Sequence, residues 1–336
     1  MKKKDELLLE KSDMHEEEKF AMKRIGEYRL MREIGRGAFA TVYKGRDGKG
    51  NEVAVKEISR RTLTDKLADS LRKEIDILKS INNENIIKLI GVKKTEKNFY
   101  LIMEYCKGGD LSRYLKKHKR LEEYTVQKIV YQISNGLRVL AEHNIMHRDL
   151  KLSNLLLSTK GDNAIIKIGD FGFARIISTS ENAQTFCGTA PNMAPEVLQG
   201  KRYNEKADVW SMGTIIFQLI TGTVPFKGDN PFQVLQSIMR GLICFPANSI
   251  ISDTCKSLIH NLLLADPEKR FSWKEYLEHP FVKTKPEEYL LYLRELFGPN
   301  YGAVLSSPMT SLVSTESVMP QNEPIKEESK KEGKYS

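Results

Sequence analysis

The sequence predicts an α+β fold in two lobes, a small five-stranded β lobe carrying one helix and a larger, mainly helical lobe. Three observations predict it. Short β-prone runs bounded by glycines and charges crowd the stretch 28–105. One amphipathic segment, 66–80, interrupts them. From 110 to 282 the apolar residues recur at three- and four-residue steps instead of alternating.

Taken in order, residues 1–24 carry charges of both signs without an apolar stripe and are expected to form a flexible extension. Thr41-Val42-Tyr43 and Val53-Ala54-Val55 read as strands, as do 86–91 and 99–103. Between them Leu67, Leu71, Ile75 and Leu78 put an apolar stripe on a helix. Val126, Ile129, Val130, Ile133, Leu137 and Leu140 mark a long helix packed on a core, while 206–222 is apolar nearly all round, as a central helix should be. Helices are also expected at 232–239 and 255–264, and short strands at 155–157 and 165–168 flank the turn Lys160-Gly161-Asp162-Asn163. The segment 289–297 is apolar on one helical face, and from about 304 Ser, Thr, Pro, Glu and Lys dominate. The expected organisation is an extension at 1–24, a two-lobed domain at 25–282 (first lobe about 25–105, second about 106–282), a short helical extension at 283–303 and a disordered tail at 304–336.

The chain has 336 residues and a net charge of +9, with no dense Lys/Arg block interleaved with aromatics of the kind that lines a nucleic-acid groove. The basic balance fits a protein that handles a polyanionic nucleotide. Cys106, Cys187, Cys244 and Cys255 are scattered without metal-type or disulfide-type spacing, which suits a reducing, cytoplasmic setting. No apolar signal core opens the chain, Lys2 stands where N-myristoylation needs glycine, and no run approaches a membrane span. The expectation is therefore no nucleic acid and no stable membrane insertion.

His147-Arg148-Asp149-Leu150-Lys151-Leu152-Ser153-Asn154, followed about twenty residues on by Asp170-Phe171-Gly172, supplies two carboxylates, a lysine and an amide, the groups needed to move a phosphoryl group from ATP to a hydroxyl. Upstream lies Gly35-Arg36-Gly37-Ala38-Phe39-Ala40-Thr41-Val42, whose glycines let backbone N–H groups approach phosphates. Lys56 ends the strand Val53-Ala54-Val55-Lys56, and an inward-facing strand lysine is costly unless it meets anions.

These motifs, in this order and with Ala194-Pro195-Glu196 downstream, resemble the eukaryotic protein kinases over roughly residues 25–282, which implies the bilobal protein kinase fold. The resemblance implies ATP and Mg²⁺ as cofactors. Ile34, Gly35, Arg36, Gly37, Ala38, Phe39, Ala40, Thr41 and Val42 would cover the nucleotide, with Ala54 and Leu156 above and below it. Lys56 would hold the α- and β-phosphates and pair with Glu74, which shares an inward face with Leu71 and Leu78. Met103, Glu104 and Cys106 belong to the segment that would hydrogen-bond adenine; Met103 reads equally as a core residue. Asp110 reads equally as a ribose ligand and as a helix N-cap. Asp149 would orient the acceptor hydroxyl, Lys151 would stabilise the transferring group, and Asn154 and Asp170 would hold Mg²⁺. Glu196 would pair with Arg270, and Asp208 would accept backbone N–H groups of the catalytic loop.

Lys151 beside Asp149, with Thr189, resembles the Ser/Thr branch, so the implied substrates are protein Ser/Thr hydroxyls. Arg148 before the catalytic Asp implies an activating phosphate, for which Thr185 is the expected acceptor, with Ser178, Thr179 and Ser180 as alternatives and Arg175 as a second phosphate ligand. Phe39-Ala40-Thr41-Val42-Tyr43, Met103-Glu104-Tyr105-Cys106-Lys107-Gly108-Gly109-Asp110-Leu111 and Asp170-Phe171-Gly172-Phe173-Ala174-Arg175 together resemble the ULK-type autophagy-initiating kinases, which implies autophagy regulatory subunits as partners. Asn192 stands where that family usually has an aromatic residue, next to the pocket for the residue after the phosphoacceptor. Two other readings stay open: a calmodulin- or energy-sensing-type Ser/Thr kinase, and a pseudokinase scaffold.

Overall fold

The computed structural model describes residues 23–37, 40–62, 71–72, 75–76, 78–161, 164–170, 190–247 and 249–302. Strands β1 (Lys23–Ile25), β2 (Tyr28–Arg36), β3 (Ala40–Arg46), β4 (Glu52–Ser59), β5 (Leu89–Lys94) and β6 (Asn98–Glu104) form one antiparallel sheet in the order β1-β2-β3-β4-β6-β5. Strand period decides what each face does. Along β4, Val53 and Val55 join Leu30, Tyr100 and Ile102 in an outer apolar cluster. Ala54 and Lys56 face the cleft, and Ile58 joins the main core. Among the helical residues that follow, Leu71, Ile75 and Leu78 are buried in that same core, as the apolar stripe predicts.

The sheet has one strand more than the sequence predicts. β1 is three residues long, and two of them, Lys23 and Arg24, are exposed. The charges hide it in the sequence. Only Ile25 turns inward, and Gly26, at φ 59°, makes the tight return to Tyr28. The strand expected at 86–91 lies at Leu89–Lys94 instead. Ile86 bridges in parallel to Ile168, so the apolar residues before Leu89 hold the two lobes together.

The second lobe is built on Glu123–Glu142 and Lys206–Thr221. The first buries the expected stripe from Val126 to Leu140. The second is buried almost throughout and ends at Gly222 in the left-handed region, φ 78°. Leu111–His118 begins at Asp110, whose side chain accepts the Arg113 N–H. Pro231–Met239 and Asp253–Leu262 match the predicted helices within two residues. Trp273–Glu278, closed by a Ser272/Glu275 capping box, and Pro280–Lys283 complete the end of the lobe. Pro286–Phe297 lies against the start of Glu123–Glu142. There the buried Glu123 carboxylate accepts the Tyr289 hydroxyl at 2.6 Å, the Ser252 hydroxyl at 2.6 Å and the Ser252 N–H at 2.7 Å.

A small sheet, β7 (Gly109–Asp110), β8 (Leu155–Leu157) and β9 (Ile166–Ile168), floors the space between the lobes. β9 is hooked to the first lobe: the Ile168 N–H donates to the Asn85 carbonyl at 2.8 Å, and the Ile87 N–H donates to the Ile168 carbonyl at 2.9 Å. The long helix passes close beneath, and a Cβ on Gly136 would stand 2.8 Å from Ile168 Cδ1 and 2.9 Å from the Asn85 carbonyl. Among the described residues no helix is long and apolar enough to cross a membrane.

Candidate active site

Between the lobes lies a cleft of about 440 Å³. Its roof is Ile34 and Gly35 of β2, Val42 of β3, and Ala54 and Lys56 of β4. Met103, Glu104 and Cys106 line its closed edge, Asp110 its side, and Leu156, Asn154 and Asp170 its floor. Arg36, Gly37, Ala40 and Thr41 belong to the β2–β3 hairpin, which the Gly37 N–H closes on the Ala40 carbonyl at 2.8 Å, but they do not line the cleft. Burial pushes the Cys106 thiol up to about 12, with the Glu104 charge adding to the effect, so it stays protonated. Asp110 caps the next helix and also lines the cleft, with Oδ2 3.2 Å from Arg113 Nε.

The segment 147–154 is shaped by a carboxylate beneath it. Asp208, buried in Lys206–Thr221, accepts the His147 N–H and the Arg148 N–H, each at 2.8 Å. Burial pushes the Asp208 carboxyl up, and His147 and the two backbone N–H groups oppose that push. The two bonds hold Arg148 at φ 66°, a left-handed conformation that costs a non-glycine residue roughly 1–2 kcal/mol. His147, 1 % exposed, accepts the Asp149 N–H at Nδ1, 3.4 Å, so Nε2 carries its proton and donates to the Gly169 carbonyl at 2.9 Å. The Gly169 N–H donates to the Asn154 carbonyl at 2.9 Å. The loop holding Asp149 and the turn holding Asp170 are thus fixed to each other through the His147 ring and the Gly169 main chain.

Asp149, Lys151 and Asn154 converge on one oxygen. Lys151 Nζ lies 2.7 Å from Asp149 Oδ2, and Asn154 Nδ2 donates to that oxygen at 3.1 Å and to the Asp149 carbonyl at 2.7 Å. Among the described residues nothing occupies Oδ1, which is left to accept a further proton donor. Across the cleft Lys56 pairs with Asp170. Asp170 sits at φ 56° with its side chain 48 % open toward the cleft. Crowding by surrounding protein would raise its carboxyl, but Lys56, helped by His147 and Lys151, holds it below the ordinary carboxylate range. Asn154 turns its NH₂ to Asp149, which leaves its carbonyl oxygen available to a cation. With the Asp170 carboxylate it offers the hard oxygen ligands that suit Mg²⁺.

The expected partner of Lys56, Glu74, lies outside the described residues, as do Ala38, Phe39, Phe171, Gly172, Arg175, Ser178, Thr179, Ser180, Thr185, Cys187, Thr189, residues 1–22 and the tail from 303. Beyond Asp149, Ala194-Pro195-Glu196 is anchored by Arg270, whose Nη1 and Nη2 meet the Glu196 carboxylate at 2.7 and 3.0 Å in the interior. Asn192 is tied to Lys206–Thr221: its Oδ1 accepts the Thr214 hydroxyl at 3.1 Å, and its carbonyl accepts the Ser211 hydroxyl at 3.2 Å. Sequence reasoning missed Ile87, Arg113 and Gly169 as cleft-lining residues and did not place Ser153 on the cleft, though all four line it. Arg113 and Ser153 follow known motif residues closely enough to have been found, whereas Ile87 reaches the cleft only through the bridge between Ile86 and β9.

The protein kinase domain family matches residues 28–282. The chain is 46 % identical over 264 residues to the serine/threonine-protein kinase ATG1b of Arabidopsis thaliana, covering 78 % of this chain and 37 % of the relative. It is 42 % identical to the atg1 kinase of Dictyostelium discoideum over 78 % of this chain and 40 % of the relative. With the ATG1 kinase of Saccharomyces cerevisiae it shares 36 % identity over 85 % of this chain and 37 % of the relative. The chain spans well under half the length of these relatives.

Proposed function

The chain belongs to the protein kinase domain family, and from that membership we propose that it transfers the γ-phosphoryl group of Mg-ATP to Ser/Thr hydroxyls of proteins, as a kinase of the autophagy-initiating type. The observation that carries the reading is the convergence of Lys151 and Asn154 on Asp149 Oδ2 opposite the Lys56–Asp170 pair. An acceptor hydroxyl would donate to Asp149 Oδ1, which aims its oxygen along the line of transfer. Lys151 would then move charge compensation from Asp149 to the phosphoryl oxygens. Lys56 would hold the α- and β-phosphates, and Asn154 and Asp170 would hold Mg²⁺. Bound Mg²⁺ neutralises charge that builds on the transferring group. The roof and closed edge of the cleft, from Ile34 to Cys106, would exclude water and seat the base.

The completeness of Lys56, Asp149, Lys151, Asn154 and Asp170 favours an enzyme over a scaffold. The calmodulin-responsive reading loses its support, because Tyr289 and Leu293 of Pro286–Phe297 are already buried against the second lobe. Activation would follow phosphorylation of Thr185, with Arg148 and Arg175 as its ligands. Regulatory subunits of an autophagy assembly are the proposed partners, by likeness to the relatives named ATG1.

The test is transfer of labelled phosphate from Mg-ATP by the purified chain, with itself and a generic basic protein as acceptors and mass spectrometry to place the phosphate. The reading predicts phosphate on Ser/Thr, Thr185 among the sites, and a Thr185→Ala protein of low activity. Full activity in Thr185→Ala would remove the proposed activation step. Label on tyrosine alone would remove the Ser/Thr assignment.

A further inference from the structure

Lys167 has no part in the chemistry proposed above, yet its side chain is only 12 % exposed at the middle of β9, three residues before Asp170. A lysine withdrawn from water needs anionic or carbonyl partners. It has two, and they belong to different parts of the molecule. Its Nζ lies 2.9 Å from Glu104 Oε1, at the end of β6 where the chain leaves the first lobe along the closed edge of the cleft. The same Nζ donates to the Glu84 carbonyl at 3.0 Å, in the segment leading to β5. Glu104 is itself fixed twice. Its Oε1 also accepts the Lys88 N–H at 2.7 Å, and its own N–H donates to the Lys88 carbonyl at 3.1 Å. One ammonium group therefore joins the strand that presents Asp170, the segment that borders the adenine end of the cleft, and the entry to β5.

We propose that Lys167 and Glu104 are positioning residues whose ion pair sets the separation between the adenine-binding edge of the cleft and the turn carrying Asp170. The proposal rests on the kinase reading. Under it, one nucleotide is gripped at both ends, its base along residues 104–106 and its phosphates by Lys56, Asp170 and Asn154. A ligand that spans both grips gains from their fixed spacing, because less ordering is left to do on binding. A ligand that uses only one grip gains little. Main-chain bonds from Asn85 and Ile87 already hold β9 to the first lobe, so loss of the ion pair loosens the spacing without releasing the strand.

The experiment measures dissociation constants of Mg-ATP and of adenosine by titration calorimetry, with KM and kcat alongside, for the wild-type chain, Lys167→Met, Glu104→Gln, the double variant and Lys167→Arg. The expected result is Mg-ATP weakened about ten-fold in Lys167→Met, with adenosine held within about two-fold and KM rising more than kcat falls. Glu104→Gln keeps the acceptor for the Lys88 N–H and should show the same pattern to a smaller degree. The double variant should be no weaker than Lys167→Met, and Lys167→Arg should recover most of the loss. Equal weakening of both ligands, additive single effects, or variants matching the wild type would overturn the proposal. If Lys167→Met does not fold, Glu104→Gln decides by the same comparison. A wild-type chain that binds neither ligand and transfers no phosphate would refute the kinase reading itself, whereas an active wild type with unaffected variants refutes only the ion pair's role.

Discussion

Replacing Arg270 by Met should destabilise the chain by about 3–5 kcal/mol, because it breaks a buried ion pair from one side. All five guanidinium N–H groups have acceptors. Nη1 meets Glu196 Oε1 at 2.7 Å and the Lys206 carbonyl at 3.0 Å; Nη2 meets Glu196 Oε2 at 3.0 Å and the Ala265 carbonyl at 3.4 Å; Nε donates to the Leu264 carbonyl at 3.0 Å. The group also lies over the Trp210 ring, 4.9 Å from its centre. Met fills much of the space but leaves the Glu196 carboxylate charged in the interior and three carbonyls without this donor. A loss of about 4 kcal/mol corresponds to a fall in Tm of about 10 °C for a domain of this size. Urea titration followed by circular dichroism measures it, and a double-mutant cycle with Glu196→Gln isolates the pair. The double variant should be scarcely less stable than Arg270→Met, since a neutral amide no longer strands a charge, giving a coupling of about 2 kcal/mol or more. A loss below about 1 kcal/mol in Arg270→Met, or simple additivity, would refute the reasoning.

Glu52 joins Lys44, 2.9 Å from Oε1, and Lys107, 2.8 Å from Oε2. Burial alone would raise its carboxyl, but the two lysines hold it below its ordinary value. The unfolded chain therefore takes up the proton first, so the contribution is present above about pH 4.5 and lost as pH falls through the folded value. Urea midpoints should show wild type ahead of Glu52→Gln by about 1 kcal/mol at pH 7, with the gap narrowing as pH falls below about 4.5. Tyr289→Phe removes one of the three hydrogen bonds to the buried Glu123 and should cost about 1–3 kcal/mol by the same titration. Gly136→Ala would press a methyl group against Ile168 and the Asn85 carbonyl. It should cost about 1–3 kcal/mol and lower kcat/KM by shifting the strand that carries Asp170.

Where a residue's role follows from local pattern, the sequence discloses it. Period-two alternation puts Lys56 on the cleft face of β4, and the spacing of Val126 to Leu140 marks the buried stripe of the long helix. Glu196, Arg270 and Asp208 stand where motif reading puts them and make the contacts expected of them, and Asp110 makes the N-cap contact of its two expected roles. What stayed hidden depends on partners brought together only by folding. Glu123 looks like an exposed first-turn acid, and only Ser252 and Tyr289 explain its burial. Lys167 looks like the polar position of a half-buried strand, and only the return of the chain past Glu104 gives it a partner. β1 is masked because two of its three residues face solvent and carry charge.

The most direct test of the central claim compares the wild-type chain with Asp149→Asn, measuring single-turnover phosphate transfer and Mg-ATP affinity on the same preparations. Asparagine keeps an oxygen for the Lys151 contact but cannot accept a proton as a carboxylate does. The account predicts transfer lower by about 10²-fold or more, with the dissociation constant for Mg-ATP within about three-fold of the wild type. Transfer retained in Asp149→Asn would contradict the role given to Asp149, and no transfer by the wild-type chain would contradict the reading of the cleft as a phosphotransfer site.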